Sequence, residues 1–518
     1  MSRAAALAGL LLALALGACR SPPDDPIEAP GPQPGVDVER AWVQIVLDPA
    51  ALTVSGRARL VVRHPRRLTA LRLGLDGALR LRSVRVDGRP VAYEREGDAL
   101  VVPLAGTARA SAVSVSYSGQ PSAGLYAAHA AGQRVVFTDG WPDRTAGWLP
   151  AVHHPSDPFA LDLTLVVPAA FDAALSGETV LDTVVAGERT VRATLPVGAP
   201  AYTAAFAVGR YVTVEDTRGT VPVRHTLLAG DRSQARRLGR VSAALDTLAA
   251  LLGPYPFATF ATVEVPLVYA GMENAAAPFL QADLYRQTAE GRNPVEEVAV
   301  HELVHQWWGN RVAPADWRDL WLAEGPATYL TAETLGRLDG GDAGMRRLAL
   351  LVRETTPDDA RRRLVHDALA RPEDALSPTV YSKGAAVLHV LRLTVGERAF
   401  WRALRDVQAG GPSGGRTVST AGFQAAFERS SGRDLDALFA FWVSGTDLPR
   451  LDTRWDRRSQ TLSWEVSGDG GTLRGLAVRL LVRQGGSERL VPLADGRVRM
   501  PGAARPDVWP VGVLFDVR

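Results

Sequence analysis

The chain contains His301-Glu302-Leu303-Val304-His305, two imidazoles four residues apart with a carboxylate beside the first. On a helix, residues four apart share a face, so the two rings converge on one point. That pair suits a divalent metal, zinc above all, and Glu302 stands one step aside, where it can reach a metal-activated water. With nine histidines in the chain, the motif arises by chance on the order of one time in a hundred. A catalytic zinc takes three protein ligands and keeps one position open. Glu324, in Trp321-Leu322-Ala323-Glu324-Gly325, offers the third.

These residues need two helices. Asn293 reads as a cap, Pro294 stands where a missing N–H costs nothing, and Glu296 completes a capping box. Gly309 is placed to end that helix. The second helix starts near Asp316, and its face carries Leu320, Trp321, Ala327, Thr328, Thr331 and Leu335. Glu324 would be buried there, and a buried carboxylate needs a cation or several hydrogen bonds.

At 518 residues the chain is too long for one core and should divide into several domains. Apolar residues make up 46% and the net charge is +2, with no run of bases; no nucleic-acid partner is expected. One lysine, Lys383, occurs among 58 basic residues, and asparagine only at Asn274, Asn293 and Asn310. A coding bias toward Arg, Ala and Gly has replaced Lys and Asn elsewhere, so the survivors mark places worth watching.

The only cysteine, Cys19, follows Arg3 and an apolar run from Ala4 to Ala18, too short to span a bilayer but suited to a signal peptide. Leu16-Gly17-Ala18-Cys19 is similar to the lipobox of bacterial lipoproteins. Residues 1–18 are therefore expected to be cleaved and Cys19 acylated, anchoring the protein to a cell-envelope membrane, periplasmic or surface-exposed. Arg20 after the Cys favours the outer membrane. Residues 19–37 read as a Pro-rich tether and 38–218 as an all-β domain. Helical patterning runs through 219–445, beginning with an amphipathic helix from Ser233 to Leu252, and 446–518 forms a small β module.

The motifs resemble those of the aminopeptidase N-like zinc peptidases, the gluzincins, which include leukotriene A-four hydrolase. That family has His-Glu-x-x-His, eighteen residues, then Glu; here the eighteen run from Gln306 to Ala323. Gln306-Trp307-Trp308-Gly309-Asn310 is similar to the family's flank. Ala270-Gly271-Met272-Glu273-Asn274 resembles its exopeptidase motif, Val380-Tyr381-Ser382-Lys383-Gly384 the segment of its catalytic Tyr, and Gly253-Pro254-Tyr255-Pro256-Phe257 a further segment. The resemblance spans Val38 to about residue 455. It implies an N-terminal β domain, a thermolysin-like mainly α catalytic domain and a small C-terminal β-sandwich-like module, without the long helical domain of larger members.

By resemblance, Zn²⁺ sits on His301, His305 and Glu324, and Glu302 is the general base. Tyr381 steadies the oxyanion, and Glu273 holds the α-ammonium of a peptide paired with the backbone of Gly271, Met272 and Asn274. Asp139 stands where relatives place another N-terminus-binding residue. The implied activity is a zinc aminopeptidase, monomeric, acting on peptides with a free N-terminus. The departures are Ala270 for Gly, Ala323 for Asn, Pro326 for an aromatic and Thr331 for an acid that supports a histidine; Glu333 faces away. Such losses weaken metal binding or rate about ten- to a hundredfold. The alternatives are a zinc endopeptidase, a catalytically impaired peptide-binding lipoprotein and an epoxide hydrolase. His153, His154 and the other scattered histidines are expected at the surface or in loops.

Overall fold

The computed structural model describes residues 28–104, 108–288, 292–366, 368–410, 415–468 and 471–517. The expected signal peptide and Cys19 lie outside the described residues. The described residues form two compact units, one within 28–246 and 254–316, the other within 247–253 and 317–517.

The first unit is built on an eight-stranded sheet. Its central strands, Asp37–Asp48 and Thr53–Arg63, bury alternate residues: Ala41, Val43, Ile45 and Leu47 on one, Val54, Ala58, Leu60 and Val62 on the other. This period of two puts one face in the core and leaves the other to solvent. The expected tether is shorter than its composition suggests. The Glu28 amide donates to Asp98 (3.0 Å), and Gln33 bonds Ala70 O (3.2 Å) and the Arg72 amide (2.7 Å), which pins the chain well before residue 37.

A five-stranded sheet in the same unit runs Tyr211–Asp216, Val223–Leu228, Phe260–Val265, Phe279–Gln281, Gly271–Met272. Its first hairpin crosses position 218, so the change from strand to helix patterning does not coincide with a sheet boundary. The last strand in this order, Gly271–Met272, lies on the edge. The amphipathic stretch from Ser233 is not one helix. Ala229–Leu238 is a 3-10 segment, and the α-helix begins at Val241. Gly239 stands between the two segments, and the Arg237 guanidinium before it bonds the carbonyls of Tyr285 and Gln287.

The helices are α1 (Val241–Leu252), α2 (Pro294–His305), α3 (Trp321–Asp339), α4 (Ala343–Glu354), α5 (Pro357–Ala360), α6 (Pro378–Val395), α7 (Glu397–Gln408), α8 (Thr420–Ser431) and α9 (Asp436–Trp442). In the second unit the C-terminal strands form a four-stranded and a three-stranded sheet. Leu451, Leu462, Trp464, Leu480, Val482, Val491 and Met500 fill their own core, as expected for a sandwich-like module. No helix among the described residues is long and apolar enough to cross a membrane.

His153 and His154 occupy a loop, one of the two placements expected for them, and are buried there. His153 Nε2 meets the carbonyls of Leu149 (3.1 Å) and Gly74 (3.3 Å), and burial pushes the ring down to about 4. The unfolded chain takes up this proton near pH 6.5 and the folded chain does not until near 4. The imidazole's contribution is therefore complete above 6.5 and lost as pH falls through that window, by about 1.4 kcal/mol per pH unit. A His153→Gln variant is expected to lose its stability deficit against the native protein over that range, measured by denaturant unfolding. Taking the difference cancels the opposite contribution of Glu264, whose buried carboxyl is pushed up to about 8. A pH-independent deficit would contradict the assignment.

Candidate metal centre and active site

α2 carries both imidazoles, but its ends are secured differently from the sequence reading. Asn293 occupies the cap position without a side-chain cap bond; its amide instead donates to Arg237 O (2.5 Å). Glu296 does not close a capping box, because Arg240 holds it at 2.6–2.9 Å. Both Glu296 and Glu297 still place negative charge at the helix N-terminus, where the dipole favours it. The α-helix ends at His305, before Gly309.

His305 Nδ1 lies 3.0 Å from the Trp308 carbonyl, a contact in which the ring donates and so leaves its Nε2 lone pair available. That Nε2 is 3.2 Å from Nε2 of His301. Two nitrogens about 2.0–2.1 Å from one tetrahedral ion would stand about 3.3 Å apart. The pair therefore fits a shared cation. A nitrogen from each ring and a carboxylate oxygen of Glu324 all lie within 4.8 Å of one another. His305 and Glu324 are buried and His301 is half-buried, and the set of two imidazoles and one carboxylate is that of a catalytic zinc site.

Glu302, 4% exposed, lies against the edge strand. A Cβ on Gly271 would stand 2.4 Å from Glu302 Oε1 and 2.8 Å from Val298 Cγ1, so glycine lets the carboxylate approach the strand. Gln306 and Asn310 tie the same pieces together. Gln306 accepts from the Ala276 amide (2.8 Å) and donates to Glu302 O (2.9 Å), while Asn310 donates to Glu273 O (2.7 Å). The helix with Glu302 and the loop with Glu273 are thus one hydrogen-bonded body. Glu273, Met272 and Asn274 are buried, and the Asn274 amide has no hydrogen-bond partner among the described residues, a polar group available to substrate or water.

Asp139 is buried and accepts from Arg144 at 2.5 Å, which neutralises its charge. Tyr269 and Arg144 were not singled out by sequence. Burial pushes the Tyr269 phenol well above its usual range, and Asp139, Arg144 and Glu273 are its charged neighbours. The signal available was position: Tyr269 immediately precedes the Ala270–Asn274 motif.

In the second unit, Glu324 and Tyr381 lie on helices in backbone contact. A Cβ on Gly325 would be 2.9 Å from Gly384 Cα, and one on Gly384 would be 2.8 Å from Gly325 Cα. Two glycines thus let α3 and α6 cross closely, one residue after Glu324 and three after Tyr381. Tyr381 is half-buried. Glu333 accepts from Arg392 (2.8 Å) and Arg337 (2.7 Å), in keeping with its facing away. Thr331 Oγ1 donates to Ala327 O (2.7 Å), a bond spent on its own helix. We expect Gly384→Ala to lower zinc affinity about ten- to a hundredfold, on the scale of losing a group that orients a ligand. Titration against a chromogenic chelator checks this; unchanged affinity in a folded variant would contradict it.

Fold and site together show the His-Glu-x-x-His…Glu donor set of a zinc site. Residues 241–442 match the peptidase family M1 domain. The chain is similar to Aminopeptidase M1 of Arabidopsis thaliana, 30% identical over 276 residues, covering 49% of this chain and 30% of the relative. It is also similar to Aminopeptidase N of Haemophilus influenzae, 28% identical over 205 residues, covering 38% of this chain and 23% of that one. Among the curated relatives cited, the matched segment spans no more than about a third of their length. Among solved structures, the M1 zinc metallopeptidase of Deinococcus radiodurans, a mutant of which binds a Tyr-Ser-Ala substrate, superposes with TM-score 0.70 at 26% identity over 80% of this chain and 96% of that one. Yeast LTA4 hydrolase shares the fold, with TM-score 0.71 at 18% identity, over 83% of this chain and 71% of that one.

Proposed function

We propose that this protein is a zinc-dependent aminopeptidase that hydrolyses the first peptide bond of peptides with a free N-terminus. The observation that carries the reading is the meeting of Glu302 on the metal helix with Gly271 on an edge strand. An edge strand can accept a substrate as one more strand, its backbone N–H and C=O groups pairing with the peptide. A base against that strand acts on a bond held there.

Zn²⁺ held by His301, His305 and Glu324 supplies Lewis acidity, polarising a carbonyl and lowering the pKa of water toward 7. Glu273 receives the α-ammonium and sets the register at one residue from the N-terminus. Gly271, Met272 and Asn274 line the backbone, and Asp139, neutralised by Arg144, contributes as a neighbour of Tyr269 rather than as a free anion. Glu302 accepts a proton from the attacking water as the C–O bond forms. It returns that proton to the amine nitrogen as the C–N bond breaks. Tyr381 donates a hydrogen bond to the developing oxyanion.

N-terminal acetylation removes the charge that Glu273 receives. Acetylated peptides are expected to be cleaved at least about a hundredfold more slowly, comparable with losing a charged hydrogen-bonded partner. Equal rates would identify an endopeptidase. Zinc binding without hydrolysis of any aminoacyl-coumarin would identify a peptide-binding protein.

The N-terminal pattern supports cleavage after Ala18 and acylation at Cys19, placing the enzyme in a bacterial cell envelope, on the outer membrane. Mass spectrometry of the N-terminal peptide from membranes tests this.

A further inference from the structure

We propose that the solvent face of the eight-stranded sheet is a docking surface for anionic phospholipid headgroups. The proposal rests on the lipid-anchor reading. The strand register assembles the surface. Arg85, Ser114, Arg59, Trp42 and Asp162 stand opposite one another on consecutive strands, and the neighbouring row holds Ser116, Arg57, Gln44, Thr164 and Arg192. These positions alternate with the buried Ala41, Val43, Ala58 and Leu60, so they point to solvent. With Arg40 and Arg80, six arginines share the face with four carboxylates, Asp48, Asp162, Glu178 and Glu188, an excess of two positive charges, and Arg63 beside them is paired with Glu39. Arg40 pairs with Asp162. Arg57, Arg59, Arg80 and Arg192 make no ion pair among the described residues.

At the centre Trp42 is 37% exposed, with the guanidinium carbons of Arg59 and Arg40 4.9 and 5.2 Å from its ring centroid. Val46, 42% exposed, follows on the same strand face. An indole flanked by cations is the combination that sits at a headgroup plane, apolar body inward and charges among phosphates. The leash is short as well. The chain is pinned from Glu28 onward, and the nine residues back to Cys19 reach at most about 30 Å. A body held that close to a membrane faces it for much of the time, whereas the field of anionic lipid decays within about 8 Å at physiological salt.

Each arginine that reaches an anionic surface strengthens partition by about fivefold. The test uses the mature chain, residues 19–518, prepared without acylation, in sedimentation with phosphatidylcholine vesicles with and without phosphatidylglycerol. Binding to the anionic vesicles alone is expected. It should weaken about a hundredfold in the Arg57→Gln, Arg59→Gln, Arg192→Gln variant while aminoacyl-coumarin hydrolysis is unchanged. Equal binding to both vesicles, binding retained by the variant, or binding to dextran sulfate with none to vesicles would each overturn the proposal. Because this chain carries no lipid, the outcome is independent of whether Cys19 is acylated in cells, which the N-terminal peptide mass decides separately.

Discussion

Glu302→Gln is expected to lower kcat by about 10²–10⁴, the range for a positioned acid–base group, and to leave zinc stoichiometric. The two side chains have the same shape, so the approach to Gly271 and the bond from Gln306 to the residue's backbone carbonyl are kept. The amide cannot accept the proton that the carboxylate takes from water. The ligands His301, His305 and Glu324 are untouched. A loss confined to kcat, with KM near the native value, distinguishes removal of a base from damage to substrate binding. Native rates in a preparation free of host peptidases would refute the role, and loss of zinc would mean that Glu302 is a ligand.

Glu324→Ala is expected to act on the metal itself. The substitution removes the only anion of the ligand set. Its cost is on the scale of removing one partner from a buried charge pair, about 3–5 kcal/mol, or about two hundredfold to several thousandfold in zinc affinity. Competition with a chromogenic chelator reads this directly. Alanine keeps the helix propensity of α3, so far-ultraviolet circular dichroism should be unchanged. Zinc retained at native affinity would remove Glu324 from the site. Lowered affinity in both Glu324→Ala and Gly384→Ala, by different amounts, would separate ligation from positioning.

The site lettering was legible because metal chemistry restricts residue types and helical spacing restricts their order. The His301/His305 pair and Glu324 follow from those two constraints. What supports them was not legible. Gln306 and Asn310 read as flanking letters, yet they hydrogen-bond the loop of Glu273 some thirty residues earlier. Asn293 and Glu296 matched a capping pattern, but Arg237 and Arg240, far away in sequence, claimed both side chains. A local pattern states what a side chain can do; competition with distant donors decides what it does.

Lys383 shows how a compositional anomaly acquires a physical reason. Its ammonium is buried between the carbonyls of Arg362 (2.7 Å) and Gly445 (2.9 Å), and burial pushes it down to about 8. A compact point charge serves two converging carbonyls where the planar fork of arginine is larger and fixed in shape. The bias that replaced lysine everywhere else met a steric limit here.

By itself the sequence singled out the candidate ligands and the candidate base, the order of strand-rich and helix-rich regions and the C-terminal β module, because periodicity and spacing are properties of a chain read locally. Tertiary structure alone decided that Gly325 and Gly384 bring two helices into backbone contact and that Gly271 makes room for the Glu302 carboxylate. It alone decided that arginines scattered one or two to a strand gather on one face around Trp42. Each of these depends on which distant segments become neighbours, and the many packed side chains that settle that choice leave no mark in any one stretch of residues.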